Sequence, residues 1–237
     1  MSTTIQRPPR QRTRGGRPPG RERPAVPAMP GGRIHTPGRV PPNGWDGRGG
    51  GPGPAGDDDA ARSRAATMAT WLVVAAVTLM FMGFTSTYVV RSAEPGWARQ
   101  ALPSLLWWNT AVLLASSVTM EVARRRVGRG DRAGARRALG WTLLLGAVFV
   151  IGQGAAWLQW VGAGVGVAES THAAFFYLLS GVHAAHVAGG LGALGYGMWR
   201  LARPARAGQL AGSLTNIATY WHFVDALWVY VFALLLW

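Results

Sequence analysis

Long apolar stretches dominate the chain from residue 66 to its end. They form five segments, at residues 66–90, 102–120, 139–161, 171–199 and 214–237. Each is close to the length of about 20 residues that a helix needs to cross the hydrocarbon core of a bilayer. The pattern predicts an all-α fold, a polytopic bundle of five transmembrane helices.

The first 64 residues have a different composition. They contain 12 Arg and five acidic residues but almost no large apolar side chains. Such a segment buries too little apolar surface to offset its ordering entropy, so we predict a disordered, Arg/Pro/Gly-rich tail at 1–64 before a membrane domain at 65–237. Nucleic-acid binding by a tail of this kind would need aromatic stacking platforms, and only Trp45 is present. We expect weak contact with lipid headgroups and no nucleic-acid partner.

The Arg residues between the predicted spans are distributed unequally. The second connection carries seven Arg and the fourth carries three, whereas the first carries two and the third none. With the tail included, 22 Arg lie on one side of the membrane and two on the other. Because basic residues are enriched in cytoplasmic segments, the N-terminus is predicted to be cytoplasmic and the C-terminus outside.

Each of the first three spans contains polar side chains that lipid cannot satisfy. They are Thr78 and residues 85–88 in the first span, Asn109, Thr110, Ser116, Ser117 and Thr119 in the second, and Gln153 and Gln159 in the third. Such groups should face the bundle interior, where a hydrogen bond between helices contributes about 0.6 kcal/mol on average. We interpret them as contacts that hold the helices together.

The last two spans also contain ionisable residues. At 100° per residue, His183 and His186 share one face of the fourth helix, beside small residues that repeat every four positions from Gly181 to Gly197. Asp225 lies near the middle of the fifth helix, where an unpaired charge costs roughly 2.5–3.5 kcal/mol by insertion scales. His222, one turn earlier, is its nearest candidate partner, and Tyr220, His183 and His186 are the next candidates.

This buried polar set is compatible with three kinds of function. His186 with His222 could ligate a haem as in an independent b-type cytochrome, or His183, His186, His222 and Asp225 could converge on a metal, since neutral imidazole is the commonest metal ligand. Intramembrane His and Asp could instead belong to a proton or ion pathway. The third reading is structural: a hydrogen-bonded network that fixes the bundle, with bound lipid beside it. The chain contains no Cys, which excludes thiolate ligands and disulfides.

Two sequence patterns resemble known signatures. The pattern Tyr220-Trp-His-Phe-Val-Asp-x-x-Trp228-x-x-x-Phe232 resembles the last helix of subunit III of haem–copper oxidases. The pattern Phe175-Phe-x-Leu-x-x-Gly-x-His-x-x-His-Val187 resembles a preceding helix of the same subunit. Shorter matches are Trp71-Leu72, Leu102-Pro, Asn109-Thr110 followed by Ser116-Ser117, and Gly152-Gln153, so that the resemblance covers residues 68–237.

The resemblance implies the five-helix bacterial short form of the family, in the bacterial cell (inner) membrane. It implies a non-catalytic subunit of a proton-pumping cytochrome c oxidase in aerobic respiration, packed beside catalytic subunit I and subunit II. The implied role is to support proton uptake, lipid binding and the stability of the catalytic subunit. Haem and copper are then expected in those partners and no cofactor in this chain, apart from bound phospholipid. Quinol oxidase and the subunit III-like protein that accompanies nitric oxide reductase are the alternatives within this class.

The resemblance also indicates which polar residues to follow. No catalytic or metal-binding residue is expected, and the candidates for an interhelical network or lipid cleft are Asn109, Gln153, His183, His186, Tyr220, His222 and Asp225. Two acids often found in the family are replaced here by Val77 and Ala156. A proton-buffering role of those two positions is therefore not expected, and Asp225 is the only acid inside a predicted span.

Overall fold

The computed structural model describes residues 55–97, 99–204 and 207–237. Five helices account for most of them: α1 (Ala55–Ser92), α2 (Leu105–Gly128), α3 (Arg132–Gly162), α4 (Thr171–Ala202) and α5 (Ala207–Leu236). No strand occurs within these ranges. The prediction of an all-α helical bundle is therefore confirmed.

Four stretches of the described chain are long and apolar enough to cross a membrane: Asp59–Ser92, Arg132–Gly162, Thr171–Ala202 and Gly208–Leu236. The 24 residues of α2 give it a length of about 36 Å, which also exceeds the ~30 Å of a bilayer core. The mean hydropathy of α2 is lower than that of the other four helices, because α2 carries Asn109, Ser116 and Ser117 and ends in the charged residues from Glu121 onward. Asn109 and Ser116 are buried inside the bundle, where they do not meet lipid.

Helix α1 begins at Ala55, within the segment that the sequence assigns to the tail. Residues 55–64 are therefore helical, and they extend the first span at its N-terminal end. The local sequence is rich in Ala and Arg, which favour helix, and acidic residues near a helix start interact favourably with the helix dipole. The rest of the predicted tail, residues 1–54, lies outside the described residues.

The helix boundaries follow from local capping. The Asp131 side chain accepts a hydrogen bond from Gly134 N at 2.8 Å at the start of α3, and Ser170 Oγ accepts one from Ala173 N at 3.1 Å at the start of α4. Gly130, in the turn before α3, has φ of 79°, a conformation that favours glycine. These caps satisfy amide groups that a helix leaves unpaired at its beginning.

Helix α5 supplies the centre of the core. Its Trp221 and Trp228 are the two largest fully buried side chains in the described ranges. A methyl group at Gly146 of α3 would lie 2.7 Å from Trp221 Cη2, and one at Gly190 of α4 would lie 3.0 Å from Trp221 Cε3. The small residues of α3 and α4 thus make room for an indole ring of α5.

The order of packing places α1 at one side of the bundle. Within the described ranges, α2 packs against α3 and α5, α4 packs against α3 and α5, and α1 packs against α4 and α5 only. Large apolar side chains remain exposed along the outside of the helices, among them Leu72, Trp108, Leu158 and Tyr230. Apolar exposure of this extent is typical of a surface that faces lipid or another subunit.

Candidate functional site

Asp225 lies on α5 with its carboxyl group against α2. The residue is only 2% exposed. The Ser117 hydroxyl donates a hydrogen bond to Asp225 Oδ2 at 2.5 Å. The other carboxyl oxygen, Oδ1, is buried and has no hydrogen-bond partner among the described residues. The carboxyl group is therefore held by a hydroxyl of the neighbouring helix.

His222 contacts the same hydroxyl from the other side. Its Nδ1 lies 2.9 Å from Ser117 Oγ. Because the Ser117 proton is directed at Asp225, the Ser117 oxygen is an acceptor for His222, and the pattern requires the proton of the neutral imidazole on Nδ1. The result is a directed chain of two hydrogen bonds, from His222 Nδ1 to Ser117 Oγ and from Ser117 Oγ to Asp225 Oδ2.

The His222 end of this chain reaches the surface of the bundle. The His222 side chain is 38% exposed, and its Nε2 lies 4.0 Å from Glu121 Oε2. A surface cavity of about 390 Å³ is lined by Ser117 and Glu121 together with Val118, Val122 and Arg125. The hydrogen-bonded chain therefore connects an open surface to a buried carboxyl group.

Glu121, which follows the predicted second span, is held by two cations of α2. Arg124 donates to both of its carboxylate oxygens at 2.8 Å, and Arg125 Nε donates to Oε1 at 2.7 Å. The hydrogen bonds from Arg124 and then Arg125 lower the pKa of Glu121 to about 2. Glu121 is therefore a carboxylate at neutral pH, and its charge is offset by the two guanidinium groups that hold it beside His222.

Two indole groups fix the position of α5 against α2. Trp221 Nε1 donates to Ser116 Oγ at 3.0 Å, and Trp228 Nε1 donates to Thr110 Oγ1 at 3.0 Å. These contacts lie on either side of Asp225 along α5. They determine the register in which Ser117 meets both His222 and Asp225.

His183 is fully buried in a different environment. Its ring lies 4.9 Å from that of Trp228 and 5.7 Å from that of Phe149, measured between centroids. Neither of its ring nitrogens has a hydrogen-bond partner in the described part of the chain, and the same holds for the Gln153 side chain and for Asn109 Nδ2. These three residues form no hydrogen bond with the Ser117 chain.

His186 and Tyr220 pair with backbone groups of α4. His186 Nδ1 lies 2.8 Å from Val182 O, and the Tyr220 hydroxyl donates to His186 O at 3.2 Å. The Tyr220 contact joins α5 to α4, whereas the His186 contact lies within α4. Neither His186 nor Tyr220 is a hydrogen-bond partner of Asp225.

The candidate ligands His183, His186, His222 and Asp225 thus make separate contacts, and only the last two share a partner. Within residues 55–97, 99–204 and 207–237, no group of three or more His, Asp or Glu side chains could hold a metal ion. The positions of the two absent family acids, Val77 and Ala156, are apolar and buried.

The sequence indicated Ser117 only as a helix-packing hydroxyl and as part of the short Ser116-Ser117 match, not as a partner of Asp225. Ser117 is one of several hydroxyl residues in the second span, and the pattern of these residues indicates only that they take part in helix packing. The predicted partner of Asp225 was His222, but the two are linked through Ser117. Only the packing of α2 against α5 identifies this serine, because the sequence does not show which helices are neighbours.

Comparison with known proteins matches most of the helical part of the chain to one family. The family model for cytochrome c oxidase subunit III matches residues 68–237. That stretch contains α2 to α5 entirely and most of α1. The chain belongs to the cytochrome c oxidase subunit III family.

Individual subunit III relatives agree with this assignment. The chain is 38% identical over 124 residues to the probable cytochrome c oxidase subunit 3 of Nocardia farcinica, covering 52% of this chain and 61% of the relative. It is 35% identical over 123 residues to that of Corynebacterium diphtheriae, covering 52% and 60%. It is 30% identical over 169 residues to that of a Synechocystis species, covering 69% and 71%. The matched part thus spans less than two thirds of the first two relatives.

Proposed function

We propose that this chain is the non-catalytic subunit III of a proton-pumping cytochrome c oxidase in the cell membrane of an aerobic bacterium. The family match over residues 68–237 is the observation that carries the proposal. In this proposal, haem and copper belong to the catalytic subunit I and to subunit II, and the chain carries no redox centre. Cytochrome c is the proposed electron donor because the relatives are named as subunits of cytochrome c oxidases.

The proposed orientation places the N-terminus in the cytoplasm and the C-terminus outside. It is supported by the Arg residues that follow the apolar part of α2, namely Arg124, Arg125 and Arg126, and by Arg200 and Arg203 at the end of α4. In this orientation Glu121, beside the His222 end of the Ser117 chain, lies in the half of α2 nearer the cytoplasm. Support of proton uptake is a further part of the proposed role.

Bound phospholipid is another part of the proposed function. A groove of about 460 Å³ lies between α1, α4 and α5, and it is lined by Arg62, Arg200, Ser63 and Asn216 among others. Asp59 also lines the groove, and its carboxylate lies 4.0 Å from the Arg62 guanidinium. The Arg200 guanidinium beside hydroxyl and amide groups matches the chemistry of an anionic headgroup. The groove lies on the side that the positive-inside rule assigns to the cytoplasm.

Native mass spectrometry of the full chain tests the lipid component. We expect the substitution Arg200→Gln to reduce the occupancy of a co-purified anionic lipid such as phosphatidylglycerol. Arg203→Gln is the matched control, because the Arg203 guanidinium lies 4.3 Å from the Trp199 ring and does not line the groove. Equal lipid occupancy in wild type and Arg200→Gln would contradict a headgroup site there.

Affinity purification tests the subunit assignment. A tagged chain, expressed in its own host and extracted in mild detergent, should co-purify with a haem–copper catalytic subunit in about equal amounts. The complex should oxidise reduced cytochrome c. If it accepts electrons only from quinol, quinol replaces cytochrome c as the proposed electron donor. Purification of the chain without any haem–copper subunit, from membranes that contain an active oxidase, would contradict the proposal.

A further inference from the structure

The hydrogen-bonded chain on α2 and α5 has the features of a proton path. It begins at a partly exposed imidazole, passes through one hydroxyl, and ends at a carboxyl group that is 2% exposed. Both hydrogen bonds point inward, since Nδ1 of His222 donates to Ser117 and Ser117 donates to Asp225. A hydroxyl between a donor and an acceptor can pass a proton on without moving its oxygen.

The structural alternative is a static hydrogen bond that hides a polar group. A static contact would satisfy the carboxyl group more completely, because buried polar atoms are normally paired. Here Oδ1 of Asp225 has no partner in the described ranges. The imidazole that contacts the bridging hydroxyl is also exposed to the surface rather than sealed by packing.

Glu121 is the charged group that lies beside the outer end of the path. The ionisable groups of the neighbouring helices are Glu121, Arg124, Arg125 and Arg126 on α2 and His172, Tyr177, His183, His186, Tyr196 and Arg200 on α4. Residues 65–87 of α1 and 138–162 of α3 contain none. Glu121 Oε2 lies 4.0 Å from His222 Nε2, where an incoming proton would arrive, and the same carboxylate is paired with Arg124 and Arg125.

We infer that Glu121, His222, Ser117 and Asp225 form a proton-exchange path, in which Asp225 is a buried proton store filled through the partly exposed His222 beside Glu121. In the filling step, His222 Nε2 binds a proton from water. The Nδ1 proton moves to Ser117 Oγ while the Ser117 proton moves to Asp225 Oδ2. His222 is left neutral with its proton on Nε2, and the net change is one proton taken from water and bound by the carboxylate.

The path rests on the proposed function, because a stored proton is useful beside an enzyme that consumes protons. Its chemistry, however, belongs to this chain alone. The exchange of the Asp225 proton can therefore be measured on the full chain in lipid nanodiscs, without partner subunits. If the Asp225 proton does not exchange through these residues, the path is contradicted and the subunit assignment is unaffected. If the chain does not co-purify with a haem–copper subunit, the subunit assignment is contradicted, whereas the exchange measurement still stands.

The test is infrared spectroscopy of the carboxyl group after transfer into heavy water. The band of the protonated Asp225 carboxyl is assigned by its loss in Asp225→Asn, and its shift with time reports exchange of the proton. We expect exchange to slow by at least roughly one order of magnitude in Ser117→Ala, because the bridging proton donor is absent. Ser117→Thr, which retains a hydroxyl, should restore the wild-type rate.

Thr119→Val is the matched control. Thr119 lies on the same helix, and its hydroxyl contacts Thr142 of α3 at 2.8 Å and Ser116 O rather than Asp225. Its substitution should leave the exchange rate unchanged. His222→Gln provides a second break in the path at a partly exposed position, and it carries the test if Ser117→Ala does not fold.

Three results would overturn the inference. The first is exchange at the wild-type rate in Ser117→Ala or His222→Gln. The second is equal slowing in Thr119→Val, which would show that loosened packing rather than the path controls exchange. The third is an Asp225 carboxyl that never takes up a proton over the pH range in which the chain stays folded, which would exclude a proton store.

Discussion

Asn109 of α2 lies against Gly152 of α3. A methyl group on Gly152 would collide with the Asn109 side chain, whereas one on Gly154 would meet nothing within 4 Å. Asn109 is 4% exposed, so it has little space into which to move. A glycine at position 152 is therefore required by the neighbouring amide rather than by backbone conformation.

Gly152→Ala should destabilise the bundle by about 1–3 kcal/mol, the usual cost of overpacking a filled core. Gly154→Ala, two residues away on the same helix, should have no such cost. Thermal unfolding of the detergent-solubilised chain compares the two variants directly. Equal melting temperatures would show that the contact between Asn109 and Gly152 does not limit the packing of α2 on α3.

Asp225 gives a second prediction at the scale of single residues. Asp225→Leu removes the acceptor of the Ser117 hydroxyl, and an interhelical hydrogen bond contributes about 0.6 kcal/mol on average, which corresponds to roughly a threefold change in an equilibrium constant. We expect less assembled complex and faster loss of activity during turnover, with initial electron transfer close to wild type. Repeated oxygen-consumption traces with matched amounts of enzyme measure both quantities.

Asp225→Asn is the control for Asp225→Leu. The amide oxygen retains an acceptor for Ser117, so assembly should remain near the wild-type level. An immediate and complete loss of oxygen reduction in a fully assembled Asp225→Leu complex would show that the residue takes part in catalysis. That result would contradict an accessory role of this chain.

The candidate site was only partly predictable at this scale. The cost of a charge in the bilayer identified Asp225, and helical spacing placed His222 beside it. Spacing also made His183 and His186 candidate partners, yet His183 packs against Trp228 and Phe149 and His186 pairs with Val182 O. Side-chain partners across helices depend on helix rotation and neighbour choice, which a periodic pattern within one helix does not contain.

At the scale of elements, the apolar stretches predicted where the helices lie within a few residues, apart from four ends. Helix α1 begins at Ala55 rather than near residue 66, and α2 continues to Gly128, past the predicted end at residue 120. Helices α3 and α5 begin at Arg132 and Ala207, each seven residues before the predicted start. The four extensions contain mostly charged, polar or small residues, so the apolar stretch is shorter than the helix. Helix propensity and capping, rather than burial, determine these ends.

Removal of residues 1–54 should leave insertion, orientation and assembly intact. The Arg residues of the loops already specify the orientation, and the deletion preserves all of α1. Membrane fractionation and co-purification of the truncated chain with its partners measure the outcome. A second deletion that ends at residue 64 removes the first turns of α1 and separates the contribution of the tail from that of the helix.

A truncated chain that inserts in mixed orientations would show that the tail contributes to topology. A chain that inserts correctly but fails to assemble would instead indicate that the tail contacts another subunit. Either result would contradict the prediction that the tail is dispensable.

The orientation of the whole molecule can be tested because the chain contains no Cys. A single cysteine placed at Ser92, in the first connection, should react with a membrane-impermeant reagent in intact cells. One placed at Gly128, in the Arg-rich second connection, should react only after the membrane is opened. The reverse labelling pattern would show that the bundle is inserted in the opposite orientation, with its N-terminus outside.

At the same scale, the resemblance predicted the family and the helical unit that the family model covers, residues 68–237. The sequence could not predict that α1 packs only against α4 and α5 among the described helices. Lateral order in a membrane bundle depends on surface complementarity between helices and not on hydropathy. For the same reason, the groove between α1, α4 and α5 became visible only in the structure.

The proposed function requires that this chain is an accessory subunit without a redox centre of its own. The most direct test is the visible spectrum of the purified single chain, compared with that of the purified complex at the same chain concentration. We predict haem absorption in the complex and no stoichiometric haem in the isolated chain. One haem per isolated chain, with the spectrum of a b-type cytochrome, would contradict the proposed function.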